Sequence, residues 1–277
     1  MSSNKTFDRT SNEYKQYLKN VKLKKIKIIV IQILLLIGFF VLWQILADNK
    51  IINTFLFSKP SDIYNLFISY TSNGTLFEHI WISVYETIIG LVIGSILGII
   101  VAIMLWWSEF LSKILDPFLV VLNALPKTAL APIIIVWVGA GVKGIVVTAV
   151  AISVVITILS AYNYFINIDE EKIKMLKSFG ATKSQILFKL ILPGNIGNLI
   201  NLTKINIGMA WVGVIVGEFL VSRAGIGYLI VYGSQVFKLD LVMMGVFVLA
   251  VCAWGMYEIV NLIEKFYYYR QRRIKGQ

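Results

Sequence analysis

Histidine and cysteine are almost absent, since the 277 residues include one of each, His79 and Cys252. A single cysteine allows no internal disulfide, and no metal site built on several cysteines or histidines can form within one chain. We therefore expect no metal and no cofactor, and we assign both residues to ordinary packing or interface positions. The sequence also groups no catalytic side chains, which makes a membrane enzyme the weakest of the functions considered.

Charged residues are scarce too, at 15% of the chain, whereas 58% of the residues are hydrophobic and the mean hydropathy is +0.78. Soluble domains rarely have such a composition. Several apolar stretches reach about 20 residues, the length of a helix that crosses a bilayer. The sequence thus predicts an all-α polytopic membrane protein with six transmembrane helices. Their approximate bounds are 28–47, 81–106, 118–138, 145–161, 191–216 and 241–263.

The net charge of +11 does not indicate a nucleic-acid partner, because lysine and arginine cluster at the ends of the apolar stretches. We expect a transmembrane domain over 28–265 between two basic tails, 1–27 and 266–277, with the first apolar stretch retained as a span. If both termini are cytoplasmic, most of the 26 basic residues face the cytoplasm, as the positive-inside rule requires. The segments that would face outward hold only Lys50, Lys59, Lys143, Arg223 and Lys238.

One polar segment, 162–189, interrupts the apolar pattern between the fourth and fifth spans. Asn167 and Glu170 have the spacing of a capping box at a helix start. Gly180 is a natural helix stop, and Thr182 with Gln185 predicts a second capped helix after it. By the positive-inside rule, the orientation of the chain that we expect puts this segment in the cytoplasm.

The first helix of the segment carries a narrow apolar stripe, formed by Ile173, Leu176 and Phe179. A stripe that faces an aqueous compartment needs a partner, either another protein or the lipid surface. The residues alone leave both interpretations open. Pro193, which lacks an N–H group, predicts a break or kink where the chain enters the membrane.

The stretch "EKIKMLKSFGATKSQILFKLILPGN" resembles the glutamate-alanine-alanine loop of permease subunits from binding-protein-dependent ABC importers. Two further stretches, "LDPFLVVLNALPKTALAPIIIVWVGAG" and "GMAWVGVIVGEFLVSRAGIGYLI", are similar to nitrate/sulfonate/taurine-type permeases. The resemblance covers about residues 30–265 and implies a type I ABC importer fold in a bacterial plasma membrane. It also implies a homodimer, two cytoplasmic ATPase subunits and an extracellular solute-binding protein, with ATP hydrolysis outside this chain.

The resemblance further implies that the loop at 163–190 is a coupling helix that sits in a groove of the ATPase subunit. Two departures stand out: Lys174 occupies the family's glutamate position, and Glu86 lies in the second span where related chains often carry a basic residue. Glu170 or Glu171, one turn before Lys174, would then supply the missing carboxylate. The expected ATPase-coupling residues are Glu170, Glu171, Lys174, Leu176, Phe179, Gly180, Ala181 and Pro193.

Ionisable side chains inside spans are costly, by about 3 kcal/mol on insertion scales, so they face a bundle interior or a watery path. Lys127 and Lys204 would line a route for an anion, or Lys204 would be neutralised by Glu86 or Glu218. Pro126 and Pro132 predict a kinked third span, whose freed backbone groups must be buried in protein or face water. The candidate pathway residues are Pro126, Lys127, Lys204, Trp211 and Glu218.

The glycines at 90, 94 and 98 form a small-residue face on the second span, which predicts close helix packing within one subunit more than between subunits. The favoured function is the permease of an ATP-driven importer for a small solute such as a sulfonate, taurine, nitrate or a related anion. The alternative is a carrier or channel that works without an ATPase.

Overall fold

The structure, a computed structural model, describes the backbone of residues 3–275 and the side chains of residues 14–270. Over that range every regular element is a helix. The contacts divide the chain into two compact units, Met1–Asn65 and Leu66–Gln277.

The first unit consists of α1 (Ser3–Asp48), α2 (Thr54–Phe57) and the start of α3 (Pro60–Ser72). α1 is continuous through residue 27, so the basic segment and the first apolar stretch form one helix where the structure describes them. The Gln44 side chain binds the start of α3, because its Oε1 accepts a hydrogen bond from the Ser61 N–H at 3.1 Å. Lys59 adds an ion pair to Asp48 at 3.7 Å.

Within the described residues, the second unit continues with nine α-helices in chain order. They are α4 (Thr75–Trp107), α5 (Glu109–Ala124), α6 (Ala131–Val138), α7 (Val142–Ile166), α8 (Glu170–Ser178), α9 (Lys183–Ile186), α10 (Leu192–Val221), α11 (Ile226–Gln235) and α12 (Leu239–Lys275).

Five stretches are long and apolar enough to cross a membrane, within α1, α4, α7, α10 and α12. A sixth candidate is a helix pair, Glu109–Ala124 with Lys127–Val138, which is bent by 88°. The described chain therefore has five spans, or six if this bent pair is one span. The bent pair is the predicted third span, and its break confirms the predicted interruption.

The break in the third span lies at Leu125 and Pro126, the two residues between α5 and a short 3₁₀ turn, Lys127–Leu130. Pro132 does not kink a helix as predicted, because it lies in the first turn of α6, where no N–H partner is needed. The segment 107–117, which lies between the predicted second and third spans, is helical apart from Ser108. Ser108 alone separates α4 from α5 and caps α5 by accepting a hydrogen bond from the Leu111 N–H at 3.2 Å.

The glycine face of α4 packs on α7 of the same chain. A Cβ atom at Gly90 would lie 2.8 Å from the Ala149 Cβ, and one at Gly94 or Gly98 would overlap a side chain of α7. α10 approaches α7 in the same way, through Gly213 and Gly217. These contacts confirm the prediction of packing within one subunit, and they place α4, α7 and α10 side by side at the centre of the second unit.

Pro193 does not break the chain as predicted, since one helical stretch runs from Lys183 to Val221. The turn before it, Leu187–Ile191, is a π-helix in which the Leu192 N–H bonds to the Leu187 carbonyl. A π-turn widens the helix locally. We infer that this widening makes room for the proline ring, which would clash with a carbonyl one regular turn earlier.

Candidate functional site: the loop between α7 and α10

The loop begins with a capped helix, although the cap is not the predicted one. Asp169 is the N-cap of α8, and its carboxylate accepts a hydrogen bond from the Glu171 N–H at 3.0 Å. Asn167, predicted for this role, is instead the C-cap of α7, where its side-chain amide donates to the Asn163 carbonyl. Both residue types favour caps, and the two candidates lie only two residues apart, so spacing alone did not separate them.

Gly180 ends α8 as predicted, in a left-handed conformation with φ of +79°. Its N–H bonds to the Lys177 carbonyl at 2.9 Å, and the Ala181 N–H bonds to the Leu176 carbonyl at 3.0 Å. This is the Schellman pattern, in which an apolar contact between Leu176 and Ala181 is expected. Both side chains do pack on the same buried cluster. Gly180 therefore sets the sharp turn that leads to α9.

Thr182 opens α9 with the predicted capping box. Its hydroxyl accepts from the Gln185 N–H at 3.3 Å, and the Gln185 side chain accepts from the Thr182 N–H at 2.8 Å. Each of these hydrogen bonds supplies an acceptor for a backbone N–H group that would otherwise be unpaired at the start of a helix.

The predicted apolar stripe of α8 divides between two faces. Ile173 and Leu176 pack on a core cluster of this chain that includes Phe165, Ile186 and Ile191. Phe179, in contrast, is 80% exposed, and Met175, one helical turn before it, is 53% exposed. The chain thus covers part of the stripe itself and leaves Phe179 and Met175 as an apolar surface, which we call the α8 patch.

The charges beside the α8 patch are arranged by helical spacing. Lys174 pairs with Glu170 at 3.1 Å, and Lys172 pairs with Asp169 at 3.6 Å. Glu171 makes no ion pair within the described part of the chain, which leaves its carboxylate available. Of the two acids proposed to replace the family's glutamate, Glu170 is thus occupied by Lys174 and Glu171 is not.

Lys183 was not predicted as a site residue, yet it joins the loop to the end of α4. Its ammonium donates to the Trp107 carbonyl at 2.6 Å and lies 5.6 Å and 5.7 Å from the ring centres of Trp106 and Trp107. A cation at a helix C-terminus is favoured by the helix dipole, and the indole faces add cation–π attraction. No local sequence signal links Lys183 to the tryptophan pair, because Trp107 lies 76 residues earlier in the chain.

The polar residues of the spans do not pair as predicted. Lys204 binds Glu264 of α12, not Glu86 or Glu218, and it lies 5.4 Å from the Tyr257 ring centre. The prediction that a carboxylate neutralises Lys204 is therefore confirmed, but the partner is wrong. The actual partner, Glu264, lies 60 residues further along the chain. Lys127, at the break after Pro126, donates to the Asn123 backbone and side-chain oxygens at 3.2 Å each.

Trp211 and Glu218 follow Lys204 at intervals of seven residues, so all three lie on one face of α10. The exposed fraction is 4% for Trp211 and 1% for Glu218. Both side chains are therefore buried by other residues of this chain, and in this structure neither is exposed to a solute. Within the described residues, no hydrogen bond or ion pair links them to Lys127, and a role of these residues in a solute pathway stays a prediction.

The sequence pattern of the family described as "Binding-protein-dependent transport system inner membrane component" matches residues 94–273. The match covers more than half of the chain, including the whole loop from α7 to α10. The chain belongs to this family. It is therefore a permease subunit of a binding-protein-dependent ABC importer and not the ATPase.

Several named permeases are similar over most of their length. The putative aliphatic sulfonates transport permease SsuC of Bacillus subtilis is 26% identical over 225 residues, which are 81% of each chain. The taurine permease TauC of Escherichia coli is 22% identical over 76% of this permease and 79% of TauC. The riboflavin permease RibX of Chloroflexus aurantiacus is 29% identical over 81% of this permease and 84% of RibX.

A solved structure of the methionine ABC transporter MetNI, in an inward-facing conformation, shares the fold. The TM-score is 0.62 at 18% identity, and the match covers 69% of this permease and 95% of that chain. The all-helical, type I importer fold predicted for the permease is thereby confirmed.

Proposed function

We propose that this permease imports a small anion, driven by two ATPase subunits that each dock on the α8 loop of one copy in a homodimer. A solute-binding protein on the outer side would deliver the anion. The observation that carries the proposal is the α8 patch, where Phe179 is 80% exposed at the tip of a rigidly capped helix.

The α8 loop has the properties of a docking element. Its two ends are fixed by the Asp169 cap and the Gly180 turn, so little ordering is left to occur on binding. Exposed aromatic and methionine side chains are enriched where proteins bind one another, and Phe179 and Met175 supply both. Glu171 adds an unpaired carboxylate for a basic group of the ATPase.

The lipid surface, the other partner considered for this helix, is less well supported. The residues around the α8 patch include Glu170 and Glu171 as well as lysines, whereas helices that lie on lipid are rich in lysine and arginine on their polar face. The distribution of lysine and arginine supports a cytoplasmic position for this loop and for both termini.

An anionic solute is supported by Lys127. It lies at the 88° break of the third candidate span, bound to Asn123, and makes no ion pair in the described part of the chain. Of the two lysines predicted for an anion route, Lys204 is neutralised by Glu264. The names of SsuC and TauC indicate sulfonates and taurine for those relatives, and a substrate of this kind is proposed here.

The test is uptake by proteoliposomes that contain the permease, its ATPase and its binding protein, with labelled taurine and an alkanesulfonate as probes. Phe179→Ser is expected to abolish ATPase co-purification and ATP-driven uptake without lowering the thermal stability of the permease. Leu176→Ala is the matched control on the other face of α8. It should lower stability because Leu176 packs on the permease's own core.

Two results would overturn the proposal. Uptake by the permease alone, without ATPase or ATP, would favour the ATPase-independent carrier. Unchanged uptake and co-purification in Phe179→Ser would exclude the α8 patch as the docking surface. Failure of both sulfonated probes, with ATP-driven uptake of riboflavin instead, would retain the coupling mechanism and replace the anion by a neutral heterocycle.

A further inference from the structure

Two carboxyl groups lie together in the interior of the second unit, and the proposed transport mechanism uses neither. Glu86 of α4 and Glu218 of α10 are each only 1% exposed. Ser83, which binds Glu218, precedes Glu86 by three residues on α4, so the Glu86 side chain lies on the same helix face, beside Glu218. This burial is produced by one chain alone, so it depends neither on the lipid nor on a second copy.

The groups around Glu218 donate hydrogen bonds to its carboxylate. One carboxylate oxygen accepts from the Ser83 hydroxyl at 2.5 Å, and the other accepts from the Gly227 N–H at 2.6 Å. The Ser83 hydroxyl in turn accepts from the Ile226 N–H at 2.7 Å. One turn earlier on α4, His79 Nδ1 accepts from the Gly225 N–H at 2.9 Å.

Two glycines bring the backbone this close to Glu218. A Cβ atom at Gly225 would overlap the Glu218 carboxyl group, and one at Gly227 would lie 2.8 Å from its Oε2. Gly225 also has a φ of +118°, which favours glycine. The turn between α10 and α11 is thus shaped around this one carboxyl group.

Glu86 has a different environment. Its Oε2 is buried and has no hydrogen-bond partner in the described part of the chain. An ionised carboxylate with an oxygen that accepts no hydrogen bond is strongly disfavoured in a buried position, whereas burying a neutral carboxylic acid costs far less free energy. Two ionised carboxylates in contact would also repel each other with little screening. A proton between the two groups removes both penalties.

Among the residues that the structure describes, no cation of the spans neutralises the pair. Lys127 binds Asn123 and Lys204 binds Glu264. α7 has no titratable side chain between Lys143 and Tyr162, and α12 carries Asp240 at its start and no further charged residue before Glu258. His79 accepts a hydrogen bond at Nδ1, which a neutral imidazole does, and Tyr228 faces Glu218 through its backbone N–H.

We propose that Glu86 and Glu218 hold one proton between them, with Glu86 as the neutral acid that donates to an ionised Glu218. Glu218 receives the hydrogen bonds from Ser83 and Gly227 and is therefore the group that carries the charge. This acid pair ties α4, α10 and the turn before α11 into one unit. It gives Glu86 a role that needs no contact with the solute or with the ATPase.

Infrared spectroscopy of the full-length permease in lipid vesicles tests the proposal directly. At neutral pH the wild-type chain should show the C=O stretch of a protonated carboxyl group, and Glu86→Gln should lose it. Glu109→Gln is the control, since Glu109 is an exposed glutamate that pairs with Lys113 and should contribute no such band. The proposal fails if the wild type lacks the band, or if the band persists in Glu86→Gln.

A second measurement compares thermal unfolding midpoints of the wild type and Glu86→Gln across pH. An unfolded glutamate gives up its proton above about pH 4.3, whereas the folded pair retains one. The folded wild type therefore binds more protons than the unfolded chain, and its stability should fall relative to Glu86→Gln as pH rises from that value. A midpoint difference that is constant with pH would contradict the shared proton.

Discussion

At the scale of single residues, the spans contain charges that the chain itself satisfies. The Lys204 and Glu264 side chains are only 11% and 17% exposed and form an ion pair between α10 and α12. Removing one member of such a pair leaves the other side chain charged, without a counter-ion, in a poorly solvated environment. The pair therefore contributes to the alignment of the two helices more than to any route for an anion.

A charge swap tests this contact. Lys204→Glu and Glu264→Lys should each lower the thermal midpoint and the folded yield, because each places two like charges together. The double variant should recover most of the loss, since the pair is restored in reverse. The control is Lys113→Glu, which breaks a pair with Glu109 whose side chains are more than 70% exposed and should change stability little. A double variant no better than the single ones would contradict the pair.

Gly213 of α10 lies at the contact with α7. A Cβ at Gly213 would lie 3.0 Å from the Ala149 backbone nitrogen and even closer to its Cα, and neither atom can move aside as a flexible side chain does. Gly213→Ala should therefore destabilise the permease by about 1–3 kcal/mol, measured by denaturant or thermal unfolding in detergent. Gly208→Ala is the control, because nothing lies within 4 Å of that position on the same helix. Equal stability of the two variants would refute the close helix contact.

At the scale of elements, the loop between α7 and α10 connects to α4 through Lys183 and to the buried cluster through Leu176 and Ala181. We therefore expect a movement of α8 to be passed on to α4, α7 and α10, which all contribute residues to that cluster. Such transmission through rigid elements is how small displacements at one site reach another.

Lys183 is expected to transmit this movement. Lys183→Leu removes the hydrogen bond to the Trp107 carbonyl and the attraction to the two indole rings, whereas Lys183→Arg keeps a cation there. We expect Lys183→Leu to retain ATPase binding and ATP hydrolysis but to lose most ATP-driven uptake, with Lys183→Arg close to wild type. Uptake per ATP hydrolysed in proteoliposomes is the measurement. Normal coupling in Lys183→Leu would show that this link is dispensable.

Much of this loop was predictable because its signals are local. Gly180 as a helix stop and the Thr182–Gln185 capping box follow from residues within one turn of each other. The partners that were missed lie far away in sequence, as Glu264 does from Lys204 and Trp107 does from Lys183. Which helix faces which side chain is decided by packing, and one sequence with six similar apolar stretches does not specify it.

At the scale of the whole molecule, the account requires that the α8 loop and both termini face the cytoplasm. The charge distribution supports this orientation. In a Cys252→Ser background, Lys143→Cys should react with a membrane-impermeant maleimide on intact cells. Lys174→Cys should react only after the cells are permeabilised. Both lysines are exposed, so accessibility within the protein does not limit either reaction. The reverse labelling pattern would invert the topology.

The most direct test of the central claim is site-specific photo-crosslinking from α8 in native membranes. A photoreactive amino acid at Phe179, on the α8 patch, should crosslink to the ATPase subunit, whereas one at Ile173, which packs on the permease core, should not. No crosslink from position 179 while ATP-driven uptake continues would contradict the account, and so would equal crosslinking from both positions.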